Sequence, residues 1–182
     1  MIRKNVLALT VMAAIACVAG AQAMAQDTVQ PPLQLSGTFN DYVWVEAAAG
    51  GGAWHVTGEW GALVKGNSRK GDFTASLLGV RSDLWVLQNF VDPANPALRS
   101  PHTHHVILAD ADVTILPNGI RLEGVATITA NGTAAPYSGS SVRVDITGGN
   151  TIRYSNIKMT FTGAGVDHFG PQPYEGLVVL GR

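Results

Sequence analysis

Trp54-His55-Val56-Thr57-Gly58-Glu59-Trp60 alternates apolar and polar residues along most of its length. A period of two belongs to a β-strand, whose successive side chains point to opposite faces. Trp54, Val56 and Trp60 share one face; His55, Thr57 and Glu59 share the other. The first face belongs to a core. The second is either solvated or, in a small barrel, the wall of a pocket. On that alternative His55 and Glu59 are candidate catalytic residues.

The same period recurs on both sides. Residues 33–39 and 42–47 form the first strand candidates, and 72–80, 83–87, 106–109, 112–116 and 120–130 the next. Val142, Val144 and Ile146 alternate with Arg143, Asp145 and Thr147. A change of apolar phase within 151–162 predicts a bulge near Ser155-Asn156, and 177–180 is the last strand. Between them stand turn signals: Ala48-Ala49-Gly50-Gly51-Gly52, the polar run 66–71, Pro117-Asn118-Gly119, Asn131-Gly132 and Gly148-Gly149-Asn150. Eight to ten short strands with no amphipathic helix mark an all-β antiparallel chain. A single closed barrel of about eight strands is expected, with a sandwich or jelly roll as the alternative, because closure removes exposed sheet edges.

Three of the five histidines fall in Pro101-His102-Thr103-His104-His105. At the entry to a strand, His102 and His104 share a face about 7 Å apart and His105 takes the other. That is metal-ligand spacing, and a third imidazole from elsewhere completes a site with an open position. His168, in Val166-Asp167-His168-Phe169-Gly170, is the natural third ligand, with His55 the alternative. Asp167 beside it, like Glu59, is a candidate proton carrier. The competing reading is a solvated or structural histidine pair. Residues 91–101, with prolines at 93, 96 and 101, read as a stiff loop at the mouth of the site.

The N-terminus carries a second kind of information. Arg3 and Lys4, an apolar run over 6–18, and Ala21-Gln22-Ala23 or Ala23-Met24-Ala25 have the plan of a bacterial secretory signal peptide over residues 1–25. The apolar run is too short to span a membrane as a helix. Lipidation at Cys17 is a rival, weakened by Ala14 three residues earlier and by the apolar residues that follow. Cys17 is the single cysteine. The mature chain, 26–182, therefore has neither a disulfide nor a thiolate ligand, and its size suits one domain. Removing Arg3 and Lys4 from twelve basic residues leaves ten against thirteen acidic ones, a net charge of −3 with the histidines neutral. With no basic run, nucleic acid is not an expected partner.

In size and strand content the chain resembles the lipocalin barrels and those of allene oxide cyclases and dirigent proteins, in architecture alone. The His102/His104 pair is similar to the H-x-H of cupins. However, Pro96 stands where that family has glycine, and no glutamate follows four or five residues after His104. The two-plus-one histidine arrangement resembles the zinc site of α-type carbonic anhydrases, a much longer family with no other motif in common here. The reading is a secreted, metal-dependent enzyme, a hydrolase or lyase, with zinc, copper or iron on His102, His104 and His168 and a small organic molecule as substrate. A metal-free acid–base lyase or isomerase is a variant. A non-enzymatic barrel binding a small apolar ligand or a metal ion is the alternative.

Overall fold

Alternating sequences this long make long strands, and β1 (Leu33–Val45) and β2 (Gly52–Val64) form a hairpin paired residue for residue from Leu33↔Val64 to Val45↔Gly52. The structure, a computed structural model, describes residues 32–45, 52–82, 101–147 and 156–181. The chain continues through β3 (Lys70–Arg81), β4 (His102–Leu116), β5 (Gly119–Val125), β6 (Thr127–Ala130), β7 (Thr133–Ala134), β8 (Ser141–Thr147), β9 (Ile157–Thr162) and β10 (Tyr174–Gly181). A one-turn helix, α1 (Val166–Phe169), lies between β9 and β10.

Every strand pairing is antiparallel. The order β3-β2-β1-β10-β9-β8-β5-β4 closes on itself through β3–β4, giving an eight-stranded up-and-down barrel. β6 and β7 are additional: β4 is long enough to pair with β5 over Asp112–Leu116 and with β6 over His104–Ile107. Asn131 and Gly132, both at positive φ (48° and 81°), make the two-residue turn between β6 and β7, the backbone that Asn-Gly favours. At the β4–β5 hairpin the loop is Pro117-Asn118 instead, because Gly119 already pairs with Leu116.

The expected separate strands over 106–109 and 112–116 are one strand with a bulge. Ala109 and Asp110 together face Asp72, and Asp110 adopts φ 55°. Its amide donates to Asp72 Oδ1 at 2.8 Å. The inward positions consequently move from His104, Val106 and Leu108 to Ala111 and Val113. Alternation is broken in the sequence where the strand is continuous in space. The one-turn α1 is likewise absent from the sequence reading, since four residues carry no helical period.

Inside, the barrel is filled. Phe39, Phe73, Phe161, Leu108, Leu122, Ile128, Ile157 and Met159 are all buried, as expected of eight strands, whose bore is just wide enough for side chains. Trp60 joins this core and stacks on Phe73, whereas Trp44 is 57% exposed on the outer face. Gly58 and Gly176 stand where neighbouring strands come too close for a side chain: a Cβ there would strike the carbonyl oxygens of Ser76 and Thr38. Among the described residues, a cavity is left towards one end. The segment 1–25, the loop 91–100, the strand 83–87 with Trp85, the turns at 48–51 and 148–150, and Ser155 of the expected bulge lie outside the described residues.

Candidate metal centre

The end of the barrel where β2 and β4 begin and β1 and β3 finish carries the site. β4 opens with His102 and His104 on its inner face and His105 on its outer face, as alternation requires. His105 bonds through Nδ1 with Ser76 Oγ at 3.0 Å, outside the barrel. His104 is paired laterally with Leu77 on β3 and Ala130 on β6, and His102 with Gly79. α1 brings the third imidazole. Phe169 is buried and stacks on Phe161 at 3.8 Å with the rings 11° from parallel. This anchors the helix and turns His168 towards His104.

The three histidines converge. One nitrogen of each of His102, His104 and His168 lies within 4.8 Å of the others, and His104 Nε2 is 3.1 Å from His168 Nε2. Two nitrogens bound tetrahedrally at 2.0–2.1 Å from zinc stand roughly 3.3 Å apart, so this pair already has the spacing. His102 lies within the same 4.8 Å group.

The partners of His104 fix its tautomer. Nδ1 lies 3.3 Å from the carbonyl oxygen of Thr129 and 3.2 Å from Tyr137 Oη. A carbonyl only accepts, so Nδ1 carries the proton and Nε2 presents its lone pair to the cavity. That is how a ligating histidine is usually held. Tyr137 also stacks on His168, 4.2 Å between ring centres and 15° from parallel. It thus braces two of the three imidazoles.

Burial sets the charge. His104 is 4% exposed. Burial, followed by the neighbouring His102 and His168, pushes its pKa down to about 3, against the weaker pull of the Thr129 carbonyl. Burial, then His102, lowers His168 to about 4. Both imidazoles are therefore neutral near pH 7, the form that binds metal. Burial raises the Tyr137 hydroxyl to about 12 and raises Tyr174 as well.

A cavity of about 30 Å³ adjoins the cluster, walled by Val45, Trp54, Val56, Leu77 and Phe169. Two of the expected catalytic residues lie elsewhere. His55 and Glu59 do not share the cavity: the inner face of β2 is that of Trp54, Val56 and Trp60. His55 stacks on Tyr42 and bonds with Asn40 Oδ1 at 2.8 Å on the outer face, and Glu59 is exposed. The barrel interior has no room for a second polar wall, so the amphipathic strand turns its titratable face outwards. Asp167 is also exposed and is not among the cavity's lining residues. One turn of helix puts adjacent residues about 100° apart, so it cannot follow His168 inwards.

Tyr137 and the Thr129 carbonyl escaped the sequence reading. Tyr137 sits in a polar turn segment with no period, and only the β6–β7 hairpin carries it to His104. The Trp54 contact with His102, edge to face at 5.0 Å, was implicit in the alternation, which already put Trp54 indoors.

Fold and site together define a closed up-and-down β-barrel with a buried three-histidine cluster at one end, a group able to hold a metal ion. Neither protein-family models, nor curated proteins, nor solved structures offer a match to this chain. No helix among the described residues is long and apolar enough to cross a membrane.

Proposed function

We propose that this protein is an exported metal-dependent enzyme whose centre is His102, His104 and His168 and whose substrate is a small molecule. The observation that carries the reading is the convergence of imidazoles from two elements, with His104 Nε2 and His168 Nε2 3.1 Å apart in an otherwise mostly apolar cavity. Bringing the neutral imidazoles of His104 and His168 out of water is costly unless something uses their lone pairs. Imidazole ligands suit zinc, copper and iron. Such a metal supplies Lewis acidity, and three protein ligands leave a position for water or substrate. Export rests on the N-terminal plan of Arg3, Lys4, the apolar run and the Ala-x-Ala sites.

His104 and His168 would hold the metal through Nε2 with His102 beside them, Thr129 and Tyr137 orient His104, and Trp54 packs against His102. Among the described residues no carboxylate lines the cavity, so proton transfer falls to water, and hydrolysis or a lyase reaction are the classes this arrangement serves. A second reading is a binding barrel without turnover. It draws on the same absence of a carboxylate from the cavity wall.

The deciding experiment is elemental analysis of the mature, untagged protein beside a His102→Ala/His104→Ala variant. About one equivalent of a transition metal, lost in the variant, supports the centre. Turnover that disappears with the metal supports the enzyme, and metal without turnover supports the binding barrel. Folded protein that takes up no metal rejects the centre.

A further inference from the structure

Resting on that centre, we propose that Asn131 is a positioning residue for the metal ligands. Through its side-chain carbonyl it fixes Thr103, the residue between His102 and His104, and with it the placing of both imidazoles. The observation is a pair of bonds. The Asn131 amide donates to the Thr103 carbonyl at 2.9 Å, and the Thr103 amide donates to Asn131 Oδ1, also at 2.9 Å. Both backbone polar groups of Thr103 are thus bonded to one residue.

The end of β6 explains the use of a side chain. β4 and β6 pair in register from Ile107↔Thr127 to His104↔Ala130, and one step further sets Thr103 opposite Asn131. In a regular antiparallel ladder such a pair exchanges both amide bonds between backbones. Asn131, however, has φ 48° and already belongs to the β6–β7 turn. Its amide still reaches Thr103, but Oδ1 takes the part of the backbone carbonyl. The carboxamide extends the ladder by one rung past the end of β6.

That rung lies beside the site. Side chains alternate, so His102 and His104 flank Thr103 on the inner face, and a shift of the Thr103 backbone moves both. β3 holds the other edge of this stretch, with Gly79 opposite His102 and Leu77 opposite His104. The same rung aligns β6, where Thr129, two residues before Asn131, accepts the His104 Nδ1 proton. Asparagine also suits a turn because it tolerates positive φ. The two roles are separable: glycine supplies positive φ without an acceptor, and aspartate supplies the acceptor.

Cobalt(II) binding to the mature protein, followed by visible absorption in competition with a chelator, tests this. Cobalt bound by the wild type and lost in His104→Ala supports the centre; no cobalt in folded wild type overturns the centre and this inference together. With cobalt bound, Asn131→Gly should weaken affinity by about tenfold, the low end for loss of a group that orients ligands. Asn131→Asp should restore it. Thr133→Ala removes a bond to the Ala130 carbonyl in the same turn without touching Thr103, and should leave affinity at the wild-type level. Wild-type affinity in Asn131→Gly, no rescue by aspartate, or an equal loss in Thr133→Ala overturns the inference and leaves the metal centre standing. Should Asn131→Gly not fold, hydrogen exchange at the Thr103 amide of the wild type decides. Zinc saturation is expected to slow it by about tenfold, since the coupling is reciprocal, and an unchanged rate rejects the role of Asn131.

Discussion

His104 Nε2 and His168 Nε2 lie 3.1 Å apart although 64 positions separate the two residues in the chain. The contact joins the start of β4 to the single turn of α1, which Phe169 anchors against Phe161. Anything that detaches α1 should therefore reach the metal. Phe169→Leu is expected to lower metal affinity measurably, whereas Phe73→Leu, a buried change of the same kind beside Trp60, should leave it alone. Each should cost about 1–1.5 kcal/mol of stability. Competition with a chromophoric chelator, beside urea unfolding, separates the two; equal affinities would break the link between Phe169 and His168.

Tyr137 shares the His104 Nδ1 proton with the Thr129 carbonyl. Loss of a partner that orients a ligating histidine typically weakens metal binding by about 10–100-fold. Because Thr129 remains, Tyr137→Phe should fall near the lower end, with the ring stack on His168 preserved. A titration showing unchanged affinity would make Tyr137 a packing residue only.

The buried imidazoles also predict acid sensitivity of the metal-free protein. The pKa of His104 falls from 6.5 to about 3 on folding, and that of His168 to about 4. Between those values and 6.5 the unfolded chain binds more protons than the folded one. Stability is therefore full above pH 6.5 and declines as pH falls, by up to about 1.4 kcal/mol per pH unit for His104. His102, His168 and Tyr137 surround it. Urea midpoints in chelator at pH 7 and pH 5 should drop steeply for wild type and less for His104→Gln. Parallel losses would show that other groups govern the acid limb.

Glu59 and Asp167 are exposed and away from the cavity. Glu59→Gln and Asp167→Asn should each leave metal content at the wild-type level, measured by elemental analysis. A loss of metal in either would return that carboxylate to the site.

Gly58 is packed against the Ser76 carbonyl. Gly58→Ala should destabilise by about 1–3 kcal/mol through displacement of β2 from β3. Thermal unfolding checks this, and an unchanged midpoint would show that the strands can part at little cost.

Much of the fold was legible because a strand writes its own period. Alternation in Trp54–Trp60 and in 142–147 named the inner face correctly, and the same rule placed His102 and His104 together with His105 outside. It failed where geometry breaks the period. The Ala109-Asp110 bulge looked like the end of a strand, and α1 was too short to show a helical repeat.

The sequence by itself determined the strand class, the turn at Asn131-Gly132 and the pairing of His102 with His104, since each depends on neighbours along the chain. Tertiary structure decided which third histidine joins them and which titratable residues stay out. The sequence favours His168 as the third ligand over His55 but places neither in space. Barrel closure turned the polar face of β2 to the outside, while the Phe169 anchor swung His168 to the inside. Those outcomes depend on how a filled barrel apportions its interior, which no local pattern encodes.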